Sequence, residues 1–544
     1  MLCLCYAATR ETGHGNGGTG GMRREALVYA RMPFAVLAYL RAPRVADPIA
    51  EIRRQREQRE TRFLETLRRV VFADAAHPYH GMFQSAGCRF GDLADAVRRD
   101  GVEATLEVLR REGVFLTHDE FKGRQPIIRS GRHLPADGAS FSNPLVSGGF
   151  AGLSSGSRGK PVRTRQSVAF MRYCEAQQGL VWREFDLGGR AHAELRTILP
   201  SLRWLETSLG ASRLGYRIDR WFPAAGPWWR TIHYRAATRL MVIVANLAGA
   251  ALPHPTYLPP NDFLPVATWI ARERANGVRC AVTGLMSPAV RVAGAALDHG
   301  LDIRGTVFLG AGEALTPAKR AVVESAGAEI YSRYHITEIG NIGHACRQML
   351  AGNSVHVYTD SVAVIGHRRP ARLSGVEVDS LLFTTLLPTA PRVLVNVEME
   401  DSGVIGRTRC DCAFGRAGLS TVIHDVASFG KLTGHGVTLV GTDLVAILED
   451  RLPARLGGRV GDFQLVEHDT GRQTEVALRV SPRVGVSAET ARRCFLGELR
   501  GQWGGKNAAG LWTHADAIDV VVAEPLAGAT GKVLPLHLLG ARRP

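Results

Sequence analysis

The spacing of hydrophobic and polar positions changes period along this chain. Over 59–69, Phe63, Leu64 and Leu67, followed by Val70, recur at three- and four-residue intervals against an arginine-rich opposite side, which predicts an amphipathic helix. His77-Pro78-Tyr79-His80 ends it. Helical spacing resumes over 90–99 and 102–111, and Thr117 with Glu120 three residues later forms a capping-box pattern that predicts a short helix. Further helices are expected over 167–178, 235–251 and 287–299, and apolar, β-rich runs at 280–283, 306–309 and 328–331 read as strands. Strands alternating with helices of about a dozen residues predict parallel βαβ construction. Ligands then collect in loops at the carboxyl ends of the strands.

Runs at 355–358, 362–365, 381–385 and 393–397 have no long helices between them, which predicts a separate, more antiparallel sheet or barrel. After about 428 the pattern becomes a compact α/β unit, with helices at 441–451 and 488–500 and strands at 463–467 and 475–480. The expected fold class is α/β: a large domain over 22–427 with parallel βαβ sheets and a small β-barrel-like part, followed by a smaller α+β domain over 428–544. The first 21 residues include Gly15-Asn16-Gly17-Gly18-Thr19-Gly20-Gly21 and read as a disordered tail, with Met22 as an alternative start.

At 544 residues the chain exceeds what one hydrophobic core usually serves. Its 45% hydrophobic and 22% charged residues read as globular and soluble. The net charge of +16 favours anionic partners such as a nucleotide, CoA or an acidic carrier protein; an arginine-rich composition without a partner is the equal alternative. The arginines are scattered and not interleaved with aromatics, which argues against a specific nucleic-acid surface. Nine cysteines, an odd number and mostly isolated, form no disulfide framework and suggest a reducing, cytoplasmic compartment. The most apolar run, 240–252, is too short to cross a bilayer, so no membrane partner is expected.

The candidate chemistry lies in short stretches. Ser154-Ser155-Gly156-Ser157-Arg158-Gly159-Lys160 is hydroxyl-rich and glycine-punctuated, and could turn consecutive N–H groups toward a phosphate. It is not a Walker A loop, because Ser154 stands where the first glycine should be and Pro161 follows the lysine. Taken alone, such a loop is more often a solvated turn. Downstream come Gly310-Ala311-Gly312-Glu313, then Tyr334-His335-Ile336-Thr337-Glu338, and near the end Gly531-Lys532.

In this order and spacing the four stretches resemble the adenylate-forming (acyl-CoA synthetase-like) superfamily, most of all its phenylacetate-CoA ligase-like branch. The resemblance runs weakly from about Arg59 to Lys532. It implies an adenylate-forming large domain and a mobile C-terminal domain that use ATP and Mg²⁺ to activate a carboxylic acid, with transfer of the acyl group to CoA, to an acyl carrier protein or to an amine. By this resemblance Ser154 to Lys160, Gly312 and Glu313 contact ATP, Tyr334 and His335 flank the adenine, Thr337 contacts phosphate, and Glu338 holds Mg²⁺. Asp401 would bind the ribose hydroxyls and Lys532 would enter the site during adenylation.

His344, Cys346, Cys410 and Cys412 offer an imidazole and three thiols in two close pairs, the donor set of a structural zinc; unrelated buried cysteines are the alternative. The acid pocket is expected to draw on 221–233 and 283–286, whose aromatic and apolar content suits an aryl or medium acyl chain. Some features depart from the family. His335 replaces a glycine, Arg158 stands where threonine is common, and the hinge counterpart Val426-Ala427-Ser428-Phe429-Gly430 lacks the usual arginine and acidic pair. A non-catalytic descendant of the fold that binds a nucleotide or a partner therefore stays open, as does a homodimer.

Overall fold

The computed structural model describes residues 19–137, 139–153, 163–223, 228–259, 262–349, 353–370, 377–428, 432–434, 437–439, 441–469, 474–500, 518–528 and 531–539. The expected phosphate loop, Ser154 to Lys160, lies outside these residues. So does most of the expected tail, although its last residues, from Thr19, already belong to a helix, Thr19–Arg41.

The helices follow the periodicity closely, at Arg59–Leu67, Phe90–Asp100 and Val102–Arg111. The Thr117/Glu120 box forms as expected: the Glu120 N–H donates to Thr117 Oγ1 at 3.3 Å, and the Thr117 N–H donates back to Glu120 Oε2 at 2.9 Å. Val168–Glu184 begins at Ser167, whose hydroxyl accepts from the Phe170 N–H at 3.1 Å.

One 11-stranded sheet organises the large unit. Its parallel part places Arg220–Trp221, Ala191–Leu195, Cys280–Leu285, Val307–Ala311 and Glu329–Ile336 side by side. Next come Gly340–His344, Val355–Val357, Thr421–Ser428, Val397–Arg407, Glu377–Thr385 and Val362–Pro370, each antiparallel to its neighbour. The antiparallel strands expected as a separate sheet are thus continuous with the parallel ones. The Gly340–His344 strand folds straight back on Glu329–Ile336 with no helix between, so pairing continues where a βαβ crossover would have ended it. The expected strand at 393–397 is also absent. Those residues bend, with Asn396 at φ 49° and its side-chain amide donating to the Leu106 and Val114 carbonyls at 2.8 and 3.1 Å, and the strand begins at Val397.

The C-terminal elements carry their own core. Leu444, Leu448, Phe463, Leu478, Phe495 and Leu499 pack together. The strands Phe463–Asp469 and Thr474–Val480 form a hairpin flanked by Ile518–Val522 and Leu536–Leu539, with the helix Ala488–Arg500 on the Ile518–Val522 strand. This is the smaller α+β unit. Among the described residues no helix is long and apolar enough to cross a membrane.

Candidate functional site

Two adjacent parallel strands end at the site. Val307–Ala311 runs into Gly312, and Glu329–Ile336 runs into Thr337 and Glu338. Tyr334 lies on the second strand with its ring edge-on to Phe383 at 6.0 Å, and its hydroxyl donates to Asp401 Oδ2 at 2.7 Å. A flat phenol face and a carboxylate are thereby fixed beside one another. Glu400, next to Asp401, adopts φ 59°, which a β-strand residue rarely does, and its carboxylate meets His118 Nδ1 at 3.3 Å.

Glu338 is buried at the strand end and accepts from Lys122 Nζ at 2.6 Å through Oε1. One carboxylate oxygen fits Mg²⁺, which takes most of its ligands from water and phosphate. His335 is held neutral, its pKa well below the usual imidazole range, by burial first and then by Arg203, Arg196, Arg333 and Lys532. That last contribution places the Lys532 ammonium close to this loop.

Lys532 comes from the C-terminal unit, and its Nζ donates to the Gly312 carbonyl at 3.0 Å. Gly312 has φ +83°, and a Cβ there would lie 2.7 Å from Lys532 Nζ, so glycine is needed both for the turn and for the lysine's approach. Glu313 turns away from this point. Its carboxylate accepts from the Ser287 hydroxyl, which also approaches the Val533 carbonyl at 3.3 Å, and it faces Lys319 at 3.8 Å. The Lys319 ammonium reaches Glu449 of the C-terminal unit at 2.9 Å, and Arg459 reaches Asp298 at 2.7 Å. Glu313 therefore belongs, by its side chain, to the contact that seats the C-terminal unit on the strand ends.

A second cluster lies behind the site. Ligand atoms of Cys346, His356, Cys410 and Cys412 lie within 4.8 Å of one another. The three cysteines are those expected, but the histidine is His356, not His344. His344 sits opposite His356 across the strand pair, with Nδ1 on the Ala345 carbonyl at 2.8 Å. Cys346 Sγ and Cys410 Sγ are 3.7 Å apart, and Cys412 Sγ is 3.3 Å from His356 Nε2. Tetrahedral zinc with Zn–S bonds of about 2.3 Å needs an S···S edge of about 3.8 Å, so the donors fit. His356 Nδ1 lies 2.8 Å from the Leu419 carbonyl, an arrangement that orients Nε2 toward the thiols. Hydrogen bonding to Cys346 and then burial push the Cys412 thiol up to about 12, the reverse of what a bound cation would do.

The expected acid pocket at 221–233 and 283–286 falls in part, at 224–227, outside the described residues. Trp221 is core, stacked on Trp204 at 4.4 Å with Nε1 donating to the Arg196 carbonyl at 2.8 Å. Thr283 instead lines a cavity of about 20 Å³ on the sheet face under the helices Val168–Glu184 and Arg203–Arg213, where its hydroxyl lies 2.7 Å from His192 Nε2. His356 and Lys122 are the residues the sequence reading missed. A histidine alternating with apolar residues in Val355-His356-Val357 was the available signal for the first; nothing in the sequence pairs Lys122 with Glu338.

No protein-family model matches this chain, and no curated protein matches it. Among solved structures it is similar to a 2-hydroxyisobutyryl-CoA ligase in complex with 2-HIB-AMP and CoA in the thioesterification state, with a TM-score of 0.43 and 15% identity over 89% of this chain and 90% of that one. It is also similar to McyG A-PCP complexed with phenylalanyl-adenylate, with a TM-score of 0.39 and 11% identity over 80% of this chain and 73% of that one. A third is O-succinylbenzoate coenzyme A synthetase from Bacillus subtilis in complex with ATP and magnesium ion, with a TM-score of 0.37 and 10% identity over 72% of this chain and 70% of that one. Each likeness is too loose to carry an assignment.

Proposed function

We propose that this chain is an AMP-forming acid–thiol ligase of the adenylate-forming superfamily, which activates a carboxylic acid with ATP and passes the acyl group to a thiol. The observation that carries this reading is the placement of Lys532. An ammonium on a separate C-terminal unit reaches the Gly312 carbonyl at the strand ends where Tyr334, Asp401 and Glu338 also gather. The order of the four motifs along the chain supports the phenylacetate-CoA ligase-like branch, and CoA is the acceptor this branch implies. We assign the large domain to 22–427 and the mobile small one to 428–544, since Thr421–Ser428 is the last strand of the large sheet.

In this reading Tyr334 offers its ring face to the adenine and Asp401 accepts from the ribose hydroxyls. The acid's carboxylate oxygen attacks the α-phosphorus, an O–P bond forms, and the bond to pyrophosphate breaks. Charge builds on the α-phosphate as this happens, and the Lys532 ammonium offsets it from a fixed position. Mg²⁺, when bound, supplies neutralisation of the phosphates; Glu338 would hold it, with the Thr337 hydroxyl toward phosphate. A thiol then attacks the acyl carbonyl and AMP leaves. For that second step the C-terminal unit would withdraw Lys532, breaking the Lys319–Glu449 and Arg459–Asp298 contacts. The cysteine and histidine cluster is read as a structural zinc centre that ties the 346 and 410–412 loops to the Val355–Val357 strand.

Lys532→Ala tests the assignment by splitting the reaction. Adenylation should fall about 10²- to 10³-fold, the cost of removing one positioned charge-stabilising donor. Thioester formation from a supplied acyl-adenylate should stay within a few-fold of wild type. Equal loss of both steps would remove the role given to Lys532.

A further inference from the structure

Arg333 and Tyr334 are consecutive on one strand, so they face opposite sides of the sheet. Tyr334 faces Asp401, whereas Arg333 lines the cavity of about 20 Å³ described above, together with Tyr358, His192, Glu206, Asn341 and His344. A cavity of that size takes one or two water-sized groups.

The charges around it do not balance. Glu206 is held by Arg203 at 2.8 Å through both oxygens, and Glu194 lies 3.2 Å from Arg196 and accepts from the Ser208 hydroxyl at 2.9 Å. Each carboxylate at this face thus has its own arginine. Arg333 is left over: its guanidinium has no hydrogen-bond or ion-pair partner among the described residues. Burial first, and then the neighbouring Arg203, push its pKa down to about 10, which still leaves it charged at neutral pH. The Tyr358 hydroxyl beside it is also unpartnered among the described residues, and Asn341 already accepts from Arg203 at 2.8 Å and donates to Gln177 at 2.7 Å. His192 and His344 each leave one ring nitrogen without a partner. A guanidinium always carries its charge, and a secluded charge is retained only where something pairs with it.

Building on the ligase reading, we propose that this cavity receives a second, anionic group of the acid, and that the substrate is a short dicarboxylate whose far carboxylate pairs with Arg333 and the Tyr358 hydroxyl. The cavity lies just below the strand ends: Arg333 is on the strand that runs into Thr337 and Glu338, and Leu309 and Thr283 line it from the next two strands. Arg333 is then a specificity residue and not a catalytic one.

The test compares matched acids on the full-length protein with ATP analogue and Mg²⁺ present: succinate and glutarate against butyrate and valerate, by calorimetric binding and by pyrophosphate exchange. Wild type should bind a diacid at least about tenfold more tightly than the monoacid of equal length, a difference of ~1.4 kcal/mol. Arg333→Met should abolish or invert that preference while keeping monoacid binding, Arg333→Lys should restore part of it, and Tyr358→Phe should weaken diacid binding about threefold or more. The wild-type comparison stands by itself if Arg333→Met does not fold. Monoacids bound as tightly as diacids, no binding of either, or an unchanged preference in Arg333→Met would each overturn the proposal. Arg333-dependent diacid binding without exchange for any acid would uphold the site and refute the ligase reading instead.

Discussion

His77 gives the sharpest test of how the N-terminal helices are fastened beneath the site. It caps the helix Pro78–Ser85, its Nδ1 accepting the Tyr79 N–H at 3.2 Å, and Nε2 is buried without a partner. Tyr79 in turn donates its hydroxyl to the Val395 carbonyl at 3.0 Å and accepts from the Val395 N–H at 2.9 Å, just ahead of the strand that carries Asp401. Protonation would put a hydrogen on the capping nitrogen and a positive charge at the helix N-terminus, and both are unfavourable. Burial accordingly pushes the His77 pKa down from 6.5 to about 4, against the opposing pull of Asp74.

The sign follows from which state takes up the proton. The folded pKa is depressed, so the contribution of neutral His77 is fully present above about pH 6.5 and is lost as pH falls toward about 4. Between pH 7.5 and 5.0 the loss comes to about 2 kcal/mol. His77→Asn keeps an accepting cap without a titrating group. Urea unfolding of wild type and variant at both pH values should show their stability difference moving by about 2 kcal/mol in favour of the variant at pH 5.0. The other shifted groups, including His192 at about 3 and Glu194 at about 7, are common to both proteins and cancel. A difference that stays constant to within about 0.5 kcal/mol would refute the reasoning.

The proposed zinc site makes a prediction that separates the two histidines: metal analysis of purified protein should find about one zinc per chain, lost in His356→Ala and Cys412→Ser and kept in His344→Ala. Retention of zinc in His356→Ala would return the ligand role to His344. Lys319, buried between Glu313 at 3.8 Å and Glu449 at 2.9 Å, should be costly to remove, because two carboxylates lose their cation. Lys319→Met should destabilise by about 3–5 kcal/mol in thermal or urea unfolding, and adding Glu449→Gln should recover part of it. No recovery in the double variant would mean the pair is not coupled as its geometry requires.

Sequence periodicity was a good guide wherever one element was amphipathic on its own. The helices near 59–69, 90–99 and 102–111 and the Thr117 capping box form close to where spacing placed them, because burying one apolar face needs no knowledge of the partner. What failed depended on contacts between distant segments. The antiparallel strands joined the main sheet because Gly340–His344 pairs back on Glu329–Ile336, which no local signal records. The histidine beside the three thiols is His356 and not the expected His344 for the same reason: both flank Phe414 and face each other across one strand pair, and only register decides which meets the thiols. The Glu313 side chain turns to Ser287 and Lys319, contacts that its motif does not record. The charge imbalance at Arg333 could not be seen in sequence, since it appears only after Glu194 and Glu206 have found their arginines.

In the proposed function Lys532, Glu338, Tyr334 and Asp401 form one adenylating site. Its most direct test is carboxylate-dependent exchange of labelled pyrophosphate into ATP, with purified protein, Mg²⁺ and pooled aliphatic, aryl and dicarboxylic acids, and Lys532→Ala alongside. Exchange should require an acid and fall about 10²- to 10³-fold in the variant. Exchange unaffected by Lys532→Ala, or no exchange with any acid from protein that binds ATP, would contradict it.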